Sequence, residues 1–232
     1  MTEDLKKDII QWDIHAWSKS LDYWESKVDW NTVQSGLELG GRKGGLSLWL
    51  ALKGIKTVCS DLMDTKKLAE PLHQKYGVIS LVEYQDIDAS SIPYENQFDV
   101  IVFKSIVGGV GTKEDDEMKR QVFKEIYKAL KPGGKLLFAE NLAASSFHRF
   151  MRKRFINWNA NWKYIPISEM RDFLKDFSSV EIKTTGVFGT FGRSEGQRKF
   201  LGTIDRFVFN HICPESWKYI SYGIAVKPGA GE

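Results

Sequence analysis

The chain has 232 residues, is 42% hydrophobic and sets 33 Lys and Arg against 30 Asp and Glu for a net charge of +3. That supports a proper core in one α/β domain with elaborations, or one domain plus a small cap, and gives no electrostatic case for nucleic acid. The N-terminus Met1–Lys7 lacks an apolar stretch and no run of 18 apolar residues occurs, so the expectation is a soluble, cytoplasmic protein without a transmembrane segment. Cys59 and Cys213 lie far apart without metal-ligand spacing, which reads as no metal site and a reduced thiol at Cys59. The 8 Trp and 13% aromatic residues can build a core or line a pocket for organic ligands and cations.

Residues 3–27 read as one broken or two short helices, with Ile9, Trp12, Ile14, Trp17, Leu21 and Trp24 forming an apolar stripe that can pack on the main domain. A strand over Ser35–Leu39 then runs into the glycine-rich turn of Gly36–Gly45 (GLELGGRKGG), which opens directly into a helical stretch. A strand, a tight turn and a helix N-terminus form the arrangement by which α/β folds hold a nucleotide. Glycine meets the unusual φ/ψ values and lets a ligand approach bare backbone. A second strand, Lys56–Ser60, ends at Asp61, 21 residues after Gly40, where a carboxylate can accept both hydroxyls of a ribose. A polar helix over about 63–76 and a strand over about 78–84 lead to Asp86 and Asp88, each able to act as a mere turn former. Phe98–Phe103 reads as a buried strand that opens with an acid, and beyond it Lys104 and Ser105 face the ligand side of the sheet. A helix over about 113–130 starts after Thr112 with Asp115 in a capping-box-like position. Pro132-Gly133-Gly134 stops it and starts the strand 135–141.

In this order and spacing, the acid–glycine turn, Asp61, Phe98–Phe103 and Leu130–Asn141 resemble the class I S-adenosylmethionine (SAM)-dependent methyltransferases over roughly residues 35–142. The resemblance implies an α/β, three-layer Rossmann-like fold with a seven-stranded, mostly parallel sheet. It implies a helical N-terminal lid at 1–30 and a main domain at 31–232, with cap elements at about 143–178 and 187–212. It also implies SAM as methyl donor, with S-adenosylhomocysteine as its product. By the same resemblance Trp17, Ser18 and Trp24 cover the methionine end, Glu38 reaches the methionine amino group, and Gly40, Gly41 and Gly44 form the turn. Arg42 stands where the middle glycine belongs, either to neutralise the methionine carboxylate or as a solvated loop residue. Asp61, with Leu62 beside it, meets the ribose. Asp88, five residues before Pro93, sits beside the adenine with Ala89 against the ring, while Asp86 is equally placed at a strand end.

The stretch 147–164 is unusual. Phe147, Met151, Phe155, Trp158 and Trp162 recur at helical spacing, and His148, Arg149, Arg152 and Lys153 fall largely on another face. It reads as a solvated basic face, as recognition of an anionic group, or as docking on an anionic membrane surface. His148 follows a strand end, so it is the candidate catalytic base for a hydroxyl acceptor, set against a structural histidine. After a helix at 167–177 and a strand at 180–185, the glycine- and aromatic-rich loop 186–193 and a helix at 197–211 read as an inserted cap before the last strand, 219–226. The chain lacks the Asn/Asp-Pro-Pro-aromatic sequence of amide and base N-methyltransferases, a cysteine nucleophile for pyrimidines and a catechol-type acid cluster. Methylation of a small-molecule hydroxyl remains, and a loose similarity to methyltransferases of bacterial polysaccharide and secondary-metabolite biosynthesis implies a sugar or related metabolite. An RNA methyltransferase, a non-catalytic SAM- or partner-binding module and any oligomeric state stay open.

Overall fold

The computed structural model describes residues 1–111, 116–155 and 162–231, with 152–155 in backbone only. Two helices, α1 (Glu3–Ile10) and α2 (Ile14–Lys27), precede an alternation of β1 (Ser35–Leu39), α3 (Gly45–Ala51), β2 (Lys56–Asp61), α4 (Thr65–Lys75), β3 (Val82–Asp86), β4 (Phe98–Lys104), α5 (Asp116–Ala129) and β5 (Leu130–Asn141). Then come α6 (Ser146–Phe155), α7 (Ile167–Phe173), β6 (Ser179–Thr185), α8 (Glu195–Ile204), the short α9 (Asn210–Ile212) and β7 (Ile220–Val226). The seven strands form one sheet in the order β3-β2-β1-β4-β5-β7-β6, parallel except for β7, which runs antiparallel to both neighbours. This is the expected Rossmann-like architecture. The strand order reverses between β1 and β4, which puts a crevice beyond their carboxyl ends.

Central parallel strands are covered on both faces and so read as apolar runs. In β4, Val100 and Val102 enter the core beneath α1–α4, while Ile101 and Phe103 enter the core beneath α5 and α7. Asp99, the acid that opens this strand, is structural. It accepts from the Gln34 and Ser35 amides and the Ser35 hydroxyl, and Lys131 Nζ lies 2.7 Å away. The starts of β1, β4 and β5 are thereby tied together.

The boundaries differ from expectation in several places: β5, expected from 135, starts at Leu130, with Pro132–Gly134 inside it where its register against β4 shifts. Residues 79–81 form a 3-10 turn, so β3 starts at Val82, and the helix expected to reach residue 177 ends at Phe173. The helix expected over 197–211 is broken by a π-turn at Asp205–Phe209, where the buried Asp205 carboxylate accepts from the Val187, Phe188 and Gly189 amides. The Thr112–Asp115 capping box, Trp158 and the side chains of Arg152, Lys153 and Phe155 lie outside the described residues. Among the described residues no helix is long and apolar enough to cross a membrane.

Candidate active site

The site begins with the end of β1. Glu38 is buried, and its two carboxylate oxygens accept from the Leu46 and Ser47 amides at 3.0 and 2.7 Å, at the first turn of α3. Those amides are among the unpaired donors of a helix start, where negative charge is favoured. Burial nevertheless pushes the Glu38 carboxyl above the usual range, since the helix amides only partly offset the lost hydration. Among the described residues no cation forms a salt bridge with it.

The chain turns over this carboxylate. A Cβ on Gly41 would stand 2.9 Å from Glu38, and one on Gly44, at φ +70°, would strike the His73 ring. His73 Nε2 lies 2.8 Å from the Gly44 carbonyl and its Nδ1 2.9 Å from the Tyr84 hydroxyl, so the turn is held from beneath. Arg42 takes φ +48° in the left-handed region, and its amide donates to Asp61 Oδ2 at 2.8 Å. Asp61 thus couples the end of β2 to the turn, and its Oδ1 accepts from the Leu62 amide.

The end of β4 supplies the opposite wall. The Lys104 ammonium lies over the rings of Trp12 and Trp17, 4.6 and 5.1 Å from their centroids. Burial pulls its pKa down to about 7, opposed by the field of Glu38, Asp13 and Glu140. Ser105 has φ +59° and is held by the Asn141 side-chain amide at 2.6 Å and by its own amide on the Ala139 carbonyl. Glu140, fully buried, accepts from the Ile106, Val107 and Asn141 amides. Burial raises its pKa to about 7. Glu140 and Asn141 are therefore positioning residues for the loop after β4.

Together these groups surround a cavity of about 360 Å³ whose rim carries Gln11, Trp12 and Trp162. Glu38, Gly40, Gly41, Arg42, Lys104 and Ser105 all line it, whereas Gly44, Asp61 and Leu62 are not part of its lining. Trp162 packs under Gly108 and Gly109 so closely that a Cβ on Gly108 would meet its Nε1 at 2.4 Å. That buried indole N–H makes no hydrogen bond among the described residues.

Five sequence expectations are corrected. Trp24 belongs to the core, where its Nε1 donates to the Gly223 carbonyl at 2.9 Å and its ring packs on Trp49. Trp17 is fully buried behind Lys104 and Trp12. Of the N-terminal tryptophans, Trp12 reaches the cavity, because the break between α1 and α2, with Gln11 and Asp13 at φ +70° and +46°, swings it over. Asp86 accepts from the Thr65 amide at the start of α4 and is a helix cap. Asp88 Oδ1 accepts from the amide and hydroxyl of Ser90 in a turn, with Ala89 packed on the α5 side of the core. His148 is buried away from the cavity, with Nδ1 2.7 Å from the Ser145 hydroxyl and Nε2 on the Val187 carbonyl. A carbonyl only accepts, so Nε2 carries the proton and Nδ1 takes the Ser145 hydrogen. The ring stacks on Phe191 and latches α6 to the cap loop; both nitrogens are committed, and it is not placed to act as base.

A sheet that reverses at β1/β4, with an acid-and-glycine turn facing a cavity there, defines the class I methyltransferase architecture. The family model described as "Methyltransferase domain" matches residues 37–138. The chain has the fold of the class I SAM-dependent methyltransferases, and its central part is similar to their methyltransferase domain. It is similar to the ubiquinone/menaquinone biosynthesis C-methyltransferase UbiE of Escherichia fergusonii, at 30% identity over 146 residues that cover 59% of this chain and 53% of that protein. The chain therefore spans about half the length of the curated relatives it matches. The solved phosphoethanolamine N-methyltransferase 2 of Haemonchus contortus shares the fold at TM-score 0.61 and 22% identity, covering 91% of this chain and 53% of that one. An O-methyltransferase family protein from Burkholderia thailandensis does so at TM-score 0.63 and 13% identity, covering 93% and 57%.

Proposed function

We propose that this chain transfers a methyl group from SAM to a hydroxyl of a small-molecule acceptor, a sugar or another metabolite. The observation that carries the donor site is Glu38, a buried carboxylate in the cavity wall with no salt-bridged cation among the described residues. A buried charge calls for a partner, and the amino group of a bound methionine moiety would provide one. Arg42 would face the methionine carboxylate and Asp61 the ribose hydroxyls, whereas Asp86, which caps α4, and Asp88, held in a turn by Ser90, are both engaged elsewhere. Bound there, SAM would supply a methyl group made electrophilic by its sulfonium. The chain's own task is then to hold acceptor and donor in line, which can supply up to about 7–11 kcal/mol of the barrier.

The similar proteins include carbon, nitrogen and oxygen methyltransferases by name, so the acceptor atom has to be argued from the site. Lys104 supports oxygen. An amine that titrates near neutrality can take the proton of a hydroxyl, the role expected of His148. Thermal unfolding with SAM, S-adenosylhomocysteine and NAD tests the donor site: ligand at ~100 times its dissociation constant adds about 2.7 kcal/mol. Methyl transfer from labelled SAM to hydroxylated acceptors, with RNA as the comparison substrate, then tests the acceptor. A shift without turnover on any of them is the outcome for a non-catalytic SAM-binding module.

A further inference from the structure

The cap presents an apolar face that the fold does not use. α8 packs on α2 through Gly202, where a Cβ would meet His15 at 2.4 Å. The opposite side of the same helical run exposes Phe200 by 67%, Phe207 by 71% and Ile212 by 71%. On α6, Phe147 and Phe150 stand three residues apart and so share a face, and both are exposed. The two patches adjoin: Phe147 meets Phe191 at 5.6 Å, and Phe191 and Phe200 line one shallow groove. Exposed rings on this scale mark an interaction surface rather than chance.

Charge indicates what covers it. The exposed rings alternate with cations in sequence, as Arg149–Phe150, Lys199–Phe200 and Arg206–Phe207, and all three cations are exposed. Residues 143–151 and 186–212 contain only two acids, Glu195 and Asp205. Both are committed elsewhere: Glu195 to the Asp13 and Ile14 amides and to Arg198, and Asp205 to the cap-loop amides. Lys199 and Arg206 flank the rings on the side toward α1 and α2, where they line a groove with Lys6, Lys7 and Lys19 against the three acids Glu3, Asp22 and Glu195. The border of the apolar face thus carries an excess of cations, the pairing that suits an anionic lipid surface.

We propose that this face docks on an anionic bilayer, with Phe200, Phe207 and Phe150 entering the boundary between headgroups and acyl chains and Arg149, Lys199 and Arg206 meeting lipid phosphates. The inference holds whatever atom is methylated, since it rests on none of the cavity residues. The test is co-sedimentation of the full chain with vesicles of phosphatidylcholine alone and of phosphatidylcholine mixed equally with phosphatidylglycerol, at low and at physiological salt. Expected is binding to the anionic vesicles alone, weakened by salt. Phe200→Ser with Phe207→Ser should lower the partition coefficient by at least about tenfold per ring. Lys199→Gln with Arg206→Gln should lower it by about thirtyfold. All four side chains are exposed, so the unfolding temperature and the S-adenosylhomocysteine shift should stay as in the parent chain. No binding to anionic vesicles, or binding that both double variants leave unchanged, overturns the proposal. So does a dimer in sedimentation velocity that the phenylalanine pair dissolves, because the face would then belong to a second copy.

Discussion

The Lys104 ammonium lies 4.6 Å from the centre of the Trp12 indole, in the wall of the cavity. The ring face favours the charged amine, but burial outweighs it and holds the pKa at about 7. The groups facing Lys104 are Glu38 from β1, Asp13 from the α1–α2 break and Glu140 from β5, which favour the cation, and Arg42 from the turn, which opposes it. If Lys104 is the base, kcat/KM should rise with pH through a midpoint near 7. Lys104→Met should flatten that limb and lower kcat by ~10²-fold or more. Stability should move the other way from activity in the variant. The folded pKa lies below the ordinary lysine value, so the unfolded chain binds more protons between about pH 7 and 10, and the parent chain gains stability as pH rises across that window. Lys104→Met should lose this slope and unfold no earlier than the parent at neutral pH. A pH profile of kcat/KM that survives the substitution removes Lys104 from proton transfer.

Arg42 poses a choice that the sequence left open, and one variant separates the two readings. Its left-handed φ costs about 1–2 kcal/mol for a residue with a Cβ. Arg42→Gly relieves that strain while adding about 0.5–1 kcal/mol of chain entropy to the unfolded state. The melting temperature should therefore shift by no more than a few degrees. If the guanidinium meets the methionine carboxylate, the affinity for S-adenosylhomocysteine falls by about tenfold or more in calorimetry. An unchanged affinity identifies a solvated loop arginine.

His148 should behave as a structural residue. His148→Ala removes both ring hydrogen bonds and the stack on Phe191, and leaves the Val187 carbonyl buried without this donor. The expected loss is about 2–4 kcal/mol in denaturant unfolding, with kcat per folded molecule close to the parent's. A collapse of kcat in a chain that remains folded would restore its catalytic role.

The fold was legible because its signals are local. Apolar runs such as Phe98–Phe103, the glycines around Glu38 and the Pro132–Gly134 stop each specify an element by short-range chemistry. The same signals carry Glu38, Gly40, Gly41, Arg42, Lys104 and Ser105, which line the cavity. The rest depended on tertiary packing. An apolar stripe holding both Trp12 and Trp24 does not say which indole meets a cavity. The left-handed break at Gln11 and Asp13 decides it, and Glu195 of the distant α8 braces that break. Asp61 and Asp86 end their strands and Glu140 stands one residue before the end of β5, yet Asp86 caps a helix and Glu140 braces the loop behind Lys104. An acid at a strand end is the signal that could have drawn attention to Glu140. His148 read as a base because its partners, Ser145 and Val187, are recognisable only after the cap folds over it.

Glu38 offers the sharpest test of the donor site, because it serves both the fold and the ligand. Glu38→Gln keeps the shape but has a single acceptor oxygen, so one of the Leu46 and Ser47 amides loses its partner. Leaving a buried donor unpaired costs about 1–3 kcal/mol, to be read as a lower midpoint in denaturant. Burial raises the carboxyl above its unfolded pKa, so in the parent chain the folded state holds the proton more tightly. Stability from this group is full below the unfolded pKa and is lost as pH rises through the folded one. A ligand ammonium reverses that preference by stabilising the carboxylate. The thermal shift given by S-adenosylhomocysteine should therefore grow with pH over the range in which Glu38 ionises, and nearly vanish in Glu38→Gln. A shift of the same size in the amide variant would mean that Glu38 only braces α3 and that the ammonium is held elsewhere.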